Sequence, residues 1–212
     1  MSARVLPWVL ASRNEGKLRE LRALFAARNI DVVDLRDVAI AEDADAEEEI
    51  ESFDTFEENA LAKARYFSRL LPGRMVLADD SGLAVDALGG APGVRSKRWS
   101  ADSAIAGASI EDSNNALLVS RMRSEANRSA RFVCAAALTD GDDEWVARGE
   151  VEGRIVDVAR GAHGFGYDPH VYVDELGMTM AEATVEEKGR VSHRARAFTR
   201  LLRVAEEAGL GR

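Results

Sequence analysis

The sequence predicts an α/β protein with a mixed β-sheet, and three observations support this class. Short apolar runs typical of strands alternate with stretches whose apolar residues recur at helical spacing, which indicates interleaved strands and helices. Between residues 131 and 158, three strand-like runs instead follow one another, as in an antiparallel meander. No repeat or low-complexity linker divides the chain, so we expect a single domain over residues 1–212.

The first half of the chain predicts three strands and two helices. Leu18, Leu21 and Leu24 recur at the spacing of one helix face. Thr55 and Glu58 form a capping-box pattern that opens the second helix. The predicted elements are a strand at 7–12, a helix after residue 17, a strand at 30–35, a helix at 55–71 and a strand at 75–78.

The second half predicts a helix, the meander and a last helix. The apolar run at 131–139 is the strongest strand signal in the chain. A helix that starts near Ser192 buries Phe198, Leu201 and Leu202 on one face. The predicted elements are a helix at about 111–124, strands at 131–139, 144–148 and 151–158, and the helix after residue 192.

Composition and charge exclude several classes of protein. Hydrophobic residues make up 46% of the 212 residues and charged residues 31%, which argues against a disordered chain. The 28 basic and 37 acidic side chains give a net charge of −9, which argues against a general nucleic-acid binder. The single cysteine, Cys134, excludes a disulfide framework and a cysteine-based zinc site. Since no signal peptide and no long apolar run is evident, we expect a cytoplasmic protein.

The negative charge is concentrated in one segment. Residues 42–51 carry seven acidic side chains and no basic one, which leaves a net charge of only −2 (−9 plus 7) on the rest of the chain. An acidic total charge is therefore compatible with a local site for a polyanionic ligand.

The first candidate site is a loop between the first strand and the first helix. The free N–H groups at the start of a helix suit a phosphate, and Lys17 would add a point charge. The spacing does not match a Walker A loop. The alternative is that Asn14 only caps the helix. The loop consists of Ser12, Arg13, Asn14, Glu15, Gly16 and Lys17.

Two further patterns place polar groups near strand and helix ends. Asn59 and Lys63 are four residues apart and share one face of the second helix. Asp79 and Asp80 follow a short buried strand, and adjacent strand residues point to opposite faces, so the carboxylates should diverge. Carboxylate oxygens at such a strand end suit Mg²⁺ and can hold an attacking water. The alternatives are a solvated lysine and an ordinary turn before Ser81.

The last two patterns lie near the C-terminal end. The run 164–169 interleaves glycines with aromatic residues, which lets the backbone approach a ligand and a ring stack on a base. Lys188, His193 and Arg194 gather near the start of the last helix, where cations oppose the helix dipole, which hints at an anionic or acceptor-rich ligand. A glycine-rich hairpin and a solvated helix start are the alternatives.

Together these segments resemble the inosine-triphosphate pyrophosphatase family, also called XTP/dITP diphosphatases. The resemblance runs in order from residue 8 to about residue 202. Any one motif is weak, but six in order are specific. They are Ser12–Lys17, Thr55–Ala64, Ala78–Leu83, Gly89–Val94, Gly164–Pro169 and Lys188–Arg194.

The resemblance implies an elongated mixed sheet flanked by helices, with two lobes around a central cleft, and a homodimer. It implies hydrolysis of dITP, ITP and XTP to the monophosphate and pyrophosphate with Mg²⁺, which cleanses the nucleotide pool. The expected partner is the small nucleotide, with no nucleic acid and no membrane.

The resemblance also implies a role for each matching residue. Asp80 is the implied proton acceptor, supported by Asp79, and Asp80 and Glu51 are the implied Mg²⁺ ligands. Ser12, Asn14 and Lys17 would hold the triphosphate, with Lys63 beside it. Ser81 would contact the substrate, and Arg13, Glu15 and Gly16 are implied to bind substrate as part of the same loop. The implied base contacts are Phe165, which would stack on the ring, with Gly166, Tyr167 and Asp168 beside it. Lys188, His193 and Arg194 would reach the base edge or the phosphates.

Departures from the family pattern leave alternatives open. Arg13 stands where glycine is usual, and Ser52 and Phe53 replace a Thr-Gly pair after Glu51, which weakens the metal assignment of that residue. The rival functions are a pyrophosphatase of the same fold for pyrimidine or modified nucleotides and a nucleotide-binding regulator without turnover. An aspartyl-phosphate phosphatase would need an Asp-x-Asp signature, which residues 79–81 lack.

Overall fold

The computed structural model describes residues 6–105 and 107–209. Seven strands form one mixed sheet, and six α-helices accompany them in these ranges. The strands are β1 Trp8–Leu10, β2 Val32–Asp34, β3 Val76–Val85, β4 Ser129–Thr139, β5 Glu144–Ile155, β6 Val171–Val173 and β7 Met178–Thr179. The helices are α1 Glu15–Ala26, α2 Ala44–Ile50, α3 Phe56–Leu70, α4 Ile110–Met122, α5 Val185–Val191 and α6 His193–Glu207.

The strand order in the sheet is β2-β1-β3-β4-β5-β6-β7. Strand β1 pairs in parallel with both β2 and β3, as helical crossovers require. Strand β6 pairs antiparallel with β5 and β7. The predicted α/β class with a mixed sheet is therefore confirmed.

The chain separates into two compact units. Within the described residues, the first comprises 6–80, 135–148 and 197–209, and the second comprises 81–105, 107–134 and 149–196. In the first unit, the apolar stripe of α1 packs into a core where the rings of Phe25 and Phe198 meet edge to face, 5.7 Å apart. The second unit has its own core, which includes Leu83, Leu118 and Phe132.

Strand β3 differs from the prediction because it does not end before Asp79. It continues to Val85, so both aspartates and Ser81 lie within one ten-residue strand. Residues with turn propensity remain extended here because Gly82 lets another loop pack on the strand: a Cβ at that position would collide with Ser96. The Ser96 hydroxyl in turn accepts a hydrogen bond of 2.9 Å from the N–H of Leu83.

The meander was also predicted with one strand too many. Residues 144–148 and 151–155 form a single strand, β5, and residues 156–158 lie beyond its end. A glycine inside this strand brings the neighbouring backbone close, since a Cβ at Gly153 would collide with the carbonyl of Tyr172. Tertiary pairing therefore outweighs the local turn tendency around residue 149.

Two short helices were not predicted. The acidic segment folds as α2, capped by Asp43, whose carboxylate accepts a 3.1 Å hydrogen bond from the N–H of Ala46. The second, α5, begins with a capping box between Thr184 and Glu187. Lys188 therefore lies in α5, whereas the sequence pattern placed it near the start of the last helix. No helix within the described ranges is long and apolar enough to cross a membrane.

Candidate active site

The predicted phosphate loop connects β1 to α1 in the first unit. Asn14 caps the helix, and its side-chain oxygen accepts a 3.0 Å hydrogen bond from the N–H of Lys17. The N–H of Asn14 contacts the Ser12 hydroxyl at 3.3 Å. Asn14 therefore caps α1, and the first helical N–H groups, those of Glu15 and Gly16, have no carbonyl from a preceding turn.

Two side chains of this loop are engaged elsewhere. The Arg13 guanidinium forms a bidentate pair with Glu47, at 2.7–3.0 Å, and donates to the carbonyl of Ala41 at 2.8 Å. Glu15 pairs with Arg36 at 2.7 Å on an exposed surface. The structure thus ties Arg13 to the acidic segment, and it brings Lys17, but neither Arg13 nor Glu15, onto the aspartates of β3.

Two lysines converge on one aspartate, and we call Lys17, Lys63 and Asp79 the lysine cluster. Lys17 Nζ lies 3.0 Å from the Asp79 carboxylate, and Lys63 Nζ donates to the Asp79 carbonyl at 3.0 Å. Lys63 also forms an ion pair with Glu51. Burial opposes the charge of Lys63, but the carboxylates of Glu51, Asp79 and Asp80 outweigh it and hold the pKa of Lys63 above its usual value.

Asp80 is buried beside this cluster, with 7% of its surface exposed. Burial raises the pKa of Asp80 to about 6, even though the charges of Lys17 and Lys63 act in the opposite direction. The negative charge of Glu51 adds to this increase in the pKa of Asp80. A carboxyl with such a pKa is suited to accept a proton near neutral pH.

In the second unit, Arg194 joins two of the predicted site residues. Its guanidinium donates to the Ser81 hydroxyl at 3.0 Å and lies 5.6 Å from the centre of the Phe165 ring. Arg194 is 2% exposed, so its position is set by its neighbours. The structure therefore brings Ser81, Phe165 and Arg194, three of the residues predicted to contact substrate, next to one another.

The neighbouring predicted residues have structural partners. The ring of His193 stacks on Phe132, with centroids 5.0 Å apart and planes 18° apart. The Tyr167 hydroxyl donates to the Ser96 carbonyl at 2.9 Å, and burial raises the pKa of Tyr167. The carbonyl of Gly166 accepts a hydrogen bond from Asn115 on α4 at 3.0 Å. The predicted aromatic loop, residues 164–169, is therefore held by hydrogen bonds to other segments of its own unit.

Asp168 and Lys188 pair with each other. Lys188 Nζ donates to Asp168 Oδ2 at 2.6 Å, and the same oxygen accepts a 3.3 Å hydrogen bond from the N–H of Phe165. This geometry depends on Gly164, where φ is +96° and a Cβ would collide with both Asp168 and Lys188. The pair thus shapes the loop that carries Phe165.

Sequence reasoning left two contacts of this arrangement out of the candidate site. Asn59 contacts Asp80, and only its four-residue spacing from Lys63 pointed to it. Phe132, which supports His193, gave no signal because an aromatic residue in a buried strand is ordinary. Asp79 was expected as support for Asp80, and the structure shows it as the anchor of both lysines.

The donor groups fit a magnesium ion that is completed by other ligands. Glu51 and Asp80 supply hard carboxylate oxygens, and no group of three His, Cys, Asp or Glu side chains suited to a metal occurs in residues 6–105 and 107–209. Protein-bound Mg²⁺ commonly uses one or two carboxylates and takes its remaining oxygens from water and substrate phosphates. The residues present therefore match this mode of binding.

The sequence and fold match known proteins over most of the chain. The model of the Ham1 family matches residues 8–204. The chain belongs to the Ham1 family. A protein of Burkholderia pseudomallei named dITP/XTP pyrophosphatase is 48% identical over 198 residues, covering 92% of this chain and 90% of that protein. A Bordetella parapertussis protein of the same name is 46% identical over 197 residues, with 92% and 88% covered.

Solved structures of Ham1 proteins share the fold. The HAM1 protein from Coxiella burnetii superposes with a TM-score of 0.78 at 34% identity, covering 95% of this chain and 99% of that one. A nucleoside-triphosphatase / dITP/XTP pyrophosphatase from Mycobacterium abscessus gives a TM-score of 0.66 at 39% identity, with 94% and 99% covered. The resemblance deduced from six motifs is confirmed.

Proposed function

We propose that this Ham1 protein hydrolyses non-standard purine nucleoside triphosphates (dITP, ITP and XTP) to the monophosphate and pyrophosphate. The observation that carries the proposal is the 46–48% identity, over 92% of the chain, to proteins named dITP/XTP pyrophosphatase. The retention of a buried acid–base group, Asp80, beside Lys17 and Lys63 supports turnover over mere binding, which needs no general base.

The first unit supplies the groups for phosphorus chemistry. In the proposed reaction a water attacks the α-phosphorus, the bond to the bridging oxygen breaks, and pyrophosphate leaves. The carboxylate of Asp80 orients the water and takes its proton, for which a pKa of about 6 is well matched at neutral pH. Lys17 and Lys63 offset the negative charge that develops on the leaving pyrophosphate.

We further propose that the reaction requires Mg²⁺, held by Glu51 and Asp80. When bound, the ion would act as a Lewis acid on phosphate oxygens. Lys63 balances the charge of Glu51 when no cation is present, as its ion pair indicates. Asp79 keeps both lysines close to the same strand, so these cationic groups are in place before the substrate arrives.

The second unit supplies groups for selecting the base. Phe165 offers a ring face for stacking, and the guanidinium of Arg194 offers N–H donors beside that ring. A 6-keto purine presents an acceptor, O6, to such a donor. Adenine presents an amino group there instead, so donor would meet donor, and a buried polar group would lose its partner.

The proposed setting is a homodimer in the cytoplasm. The homodimer is implied by the family resemblance, and light scattering on the purified chain tests it. A particle of twice the chain mass is the expected result, and a monomer at micromolar concentration contradicts that part of the proposal.

The activity is tested by measuring pyrophosphate release from dITP, XTP, ITP, dATP, dGTP, dCTP and dTTP with Mg²⁺. We expect dITP and XTP to exceed dATP and the pyrimidine nucleotides in kcat/KM by about 10⁴-fold, the discrimination available when a mismatched donor is buried. The Asp80→Asn variant should bind dITP without hydrolysing it. A preference for dCTP or dTTP would instead favour a pyrimidine pyrophosphatase, and binding without release from any nucleotide would favour a regulator.

A further inference from the structure

A buried amide lies between the two proposed metal ligands of the first unit. Asn59, in the first turns of α3, is 1% exposed and makes three hydrogen bonds. Its Oδ1 accepts from the N–H of Phe53 at 2.9 Å, and its Nδ2 donates to the Phe53 carbonyl at 3.2 Å and to Asp80 Oδ2 at 2.9 Å. One side chain thus joins the turn that follows Glu51 to the carboxylate of Asp80.

The orientation of this amide is determined by its partners. If the amide were rotated by half a turn, its NH₂ group would face the N–H of Phe53, and its oxygen would face both a carbonyl and a carboxylate. Every contact would then be repulsive. The other buried positions on the start of this helix, Phe56 and Ala60, are apolar, so an amide at position 59 is not what burial alone favours.

The bond to Asp80 fixes the rotation of that carboxylate. The torsion between Cβ and the carboxyl group of an aspartate has a broad minimum and is easily turned. A donor held rigidly on a helix selects one orientation, with Oδ2 toward Asn59. The direction in which the other carboxylate oxygen points follows from this choice.

The two bonds to Phe53 fix the segment that carries Glu51. Phe53 lies in the connection between α2 and α3, two residues after Glu51. Because both its N–H and its carbonyl are held by the same amide, neither peptide unit that flanks Phe53 can rotate without losing a hydrogen bond. One turn farther along α3, Lys63 pairs with the Glu51 carboxylate itself. Asn59 and Lys63 therefore hold the same segment from one helix face.

We propose that Asn59 is a positioning residue that aligns the carboxylates of Glu51 and Asp80 for a divalent cation before any nucleotide binds. This inference rests on the proposed function, because it assumes that these two residues bind the cation. Groups that orient metal ligands typically change metal affinity or activity by about 10–100-fold when they are removed.

The test uses variants of Asn59 with a matched control. Asn59→Ala removes all three hydrogen bonds. Asn59→Ser keeps a hydroxyl group that can donate, but the serine side chain is too short to reach both Phe53 and Asp80. Asn114, on α4, is the control, because it is also buried and makes three hydrogen bonds, to the N–H of Ser100 and to the carbonyls of Ser96 and Lys97. None of these partners is a carboxylate, so Asn114→Ala reports the cost of losing a buried amide alone.

The first readout is binding of Mn²⁺ to the nucleotide-free protein, measured by calorimetry. We expect both Asn59 variants to bind Mn²⁺ about 10–100-fold more weakly than the wild type, and Asn114→Ala to bind it normally. The second readout needs no metal: amide exchange at residues 51–54 should accelerate in the Asn59 variants only. With saturating nucleotide, kcat should fall while KM stays within about threefold, because the phosphate loop is intact.

The outcomes separate the two proposals. Wild-type affinity for Mn²⁺ in folded Asn59 variants overturns the positioning role and leaves the proposed function standing. The same conclusion follows if Asn114→Ala weakens Mn²⁺ binding equally, since the effect would then be general destabilisation. If the wild-type protein itself binds no Mn²⁺, both the metal part of the proposed function and this inference fail.

Discussion

Lys188 and Asp168 form a buried ion pair, with Lys188 Nζ 2.6 Å from Asp168 Oδ2 and side chains only 2% and 8% exposed. The sequence assigned both residues to the substrate. In the structure their charges neutralise each other, and the Asp168 carboxylate also accepts a hydrogen bond from the N–H of Phe165. The pair therefore determines the shape of the loop that carries the proposed base-stacking ring.

Removing one partner of this pair should destabilise the protein strongly. We expect Lys188→Met to lower the free energy of unfolding by about 3–5 kcal/mol, because the Asp168 charge stays buried without its cation. The control is Arg190→Met, two residues away, which loses only an exposed pair with Glu186 and should change stability by less than about 0.5 kcal/mol. Urea denaturation followed by circular dichroism measures both. Equal losses in the two variants would show that the burial of the pair is energetically unimportant.

The raised pKa of Asp80 implies that this carboxylate destabilises the metal-free protein at neutral pH. Its pKa is about 6 in the folded state, above the usual value of 3.8, so stability is lost as the pH rises through the folded pKa. In EDTA at about pH 8, Asp80→Asn should raise the free energy of unfolding by about 1–3 kcal/mol. The difference should vanish below about pH 4, where the carboxyl is protonated in both states. A variant that is less stable than the wild type at pH 8 would contradict this cause.

We expect Arg13 to stabilise the acidic segment, residues 42–51, and not to bind the substrate phosphates. The bidentate pair with Glu47 and the bond to Ala41 predict that Arg13→Gly, which restores the usual family residue, accelerates amide exchange in residues 41–47. Glu47→Gln should reproduce this change, because it weakens the same pair. Arg203→Ala, which loses only an exposed contact with Glu207, is the control. If Arg13→Gly raised KM for dITP and left the exchange unchanged, Arg13 would be a phosphate ligand after all.

Arg194 should contribute to the choice of base. We expect Arg194→Ala to lower the ratio of kcat/KM for ITP over ATP by about 10-fold or more, because the donor near Phe165 is removed. Arg196→Ala is the matched control, since Arg196 lies two residues on and bonds the carbonyl of Glu150 and the carboxylate of Glu175. The comparison is made with pyrophosphate release at subsaturating nucleotide. An unchanged ratio would remove Arg194 from base recognition.

Several features were predictable from local sequence because their causes are local. The capping residue Asn14 and the apolar stripe of α1 define that helix without reference to the rest of the chain. The Asn59–Lys63 spacing placed both side chains on one helix face, and adjacent strand positions separated Asp79 from Asp80. The six motifs in order were specific enough to indicate the family.

Other features depended on contacts between residues far apart in sequence. The length of β3 was underestimated because the loop that reaches Gly82 through Ser96 overrides the turn propensity of residues 81 and 82. The acidic segment was not predicted as a helix, since seven like charges disfavour one unless other groups balance them, as Arg13 does for Glu47.

The sequence by itself determined the α/β class, the family and the identity of the charged groups, because periodicity, caps and motif order are written in neighbouring residues. Only the tertiary structure decided what those groups do for one another. It placed two lysines on Asp79, joined Asp80 to Phe53 through Asn59, and paired Lys188 with Asp168. Burial is the physical reason: the energy of a charge depends on its surroundings in space, which spacing along the chain does not specify.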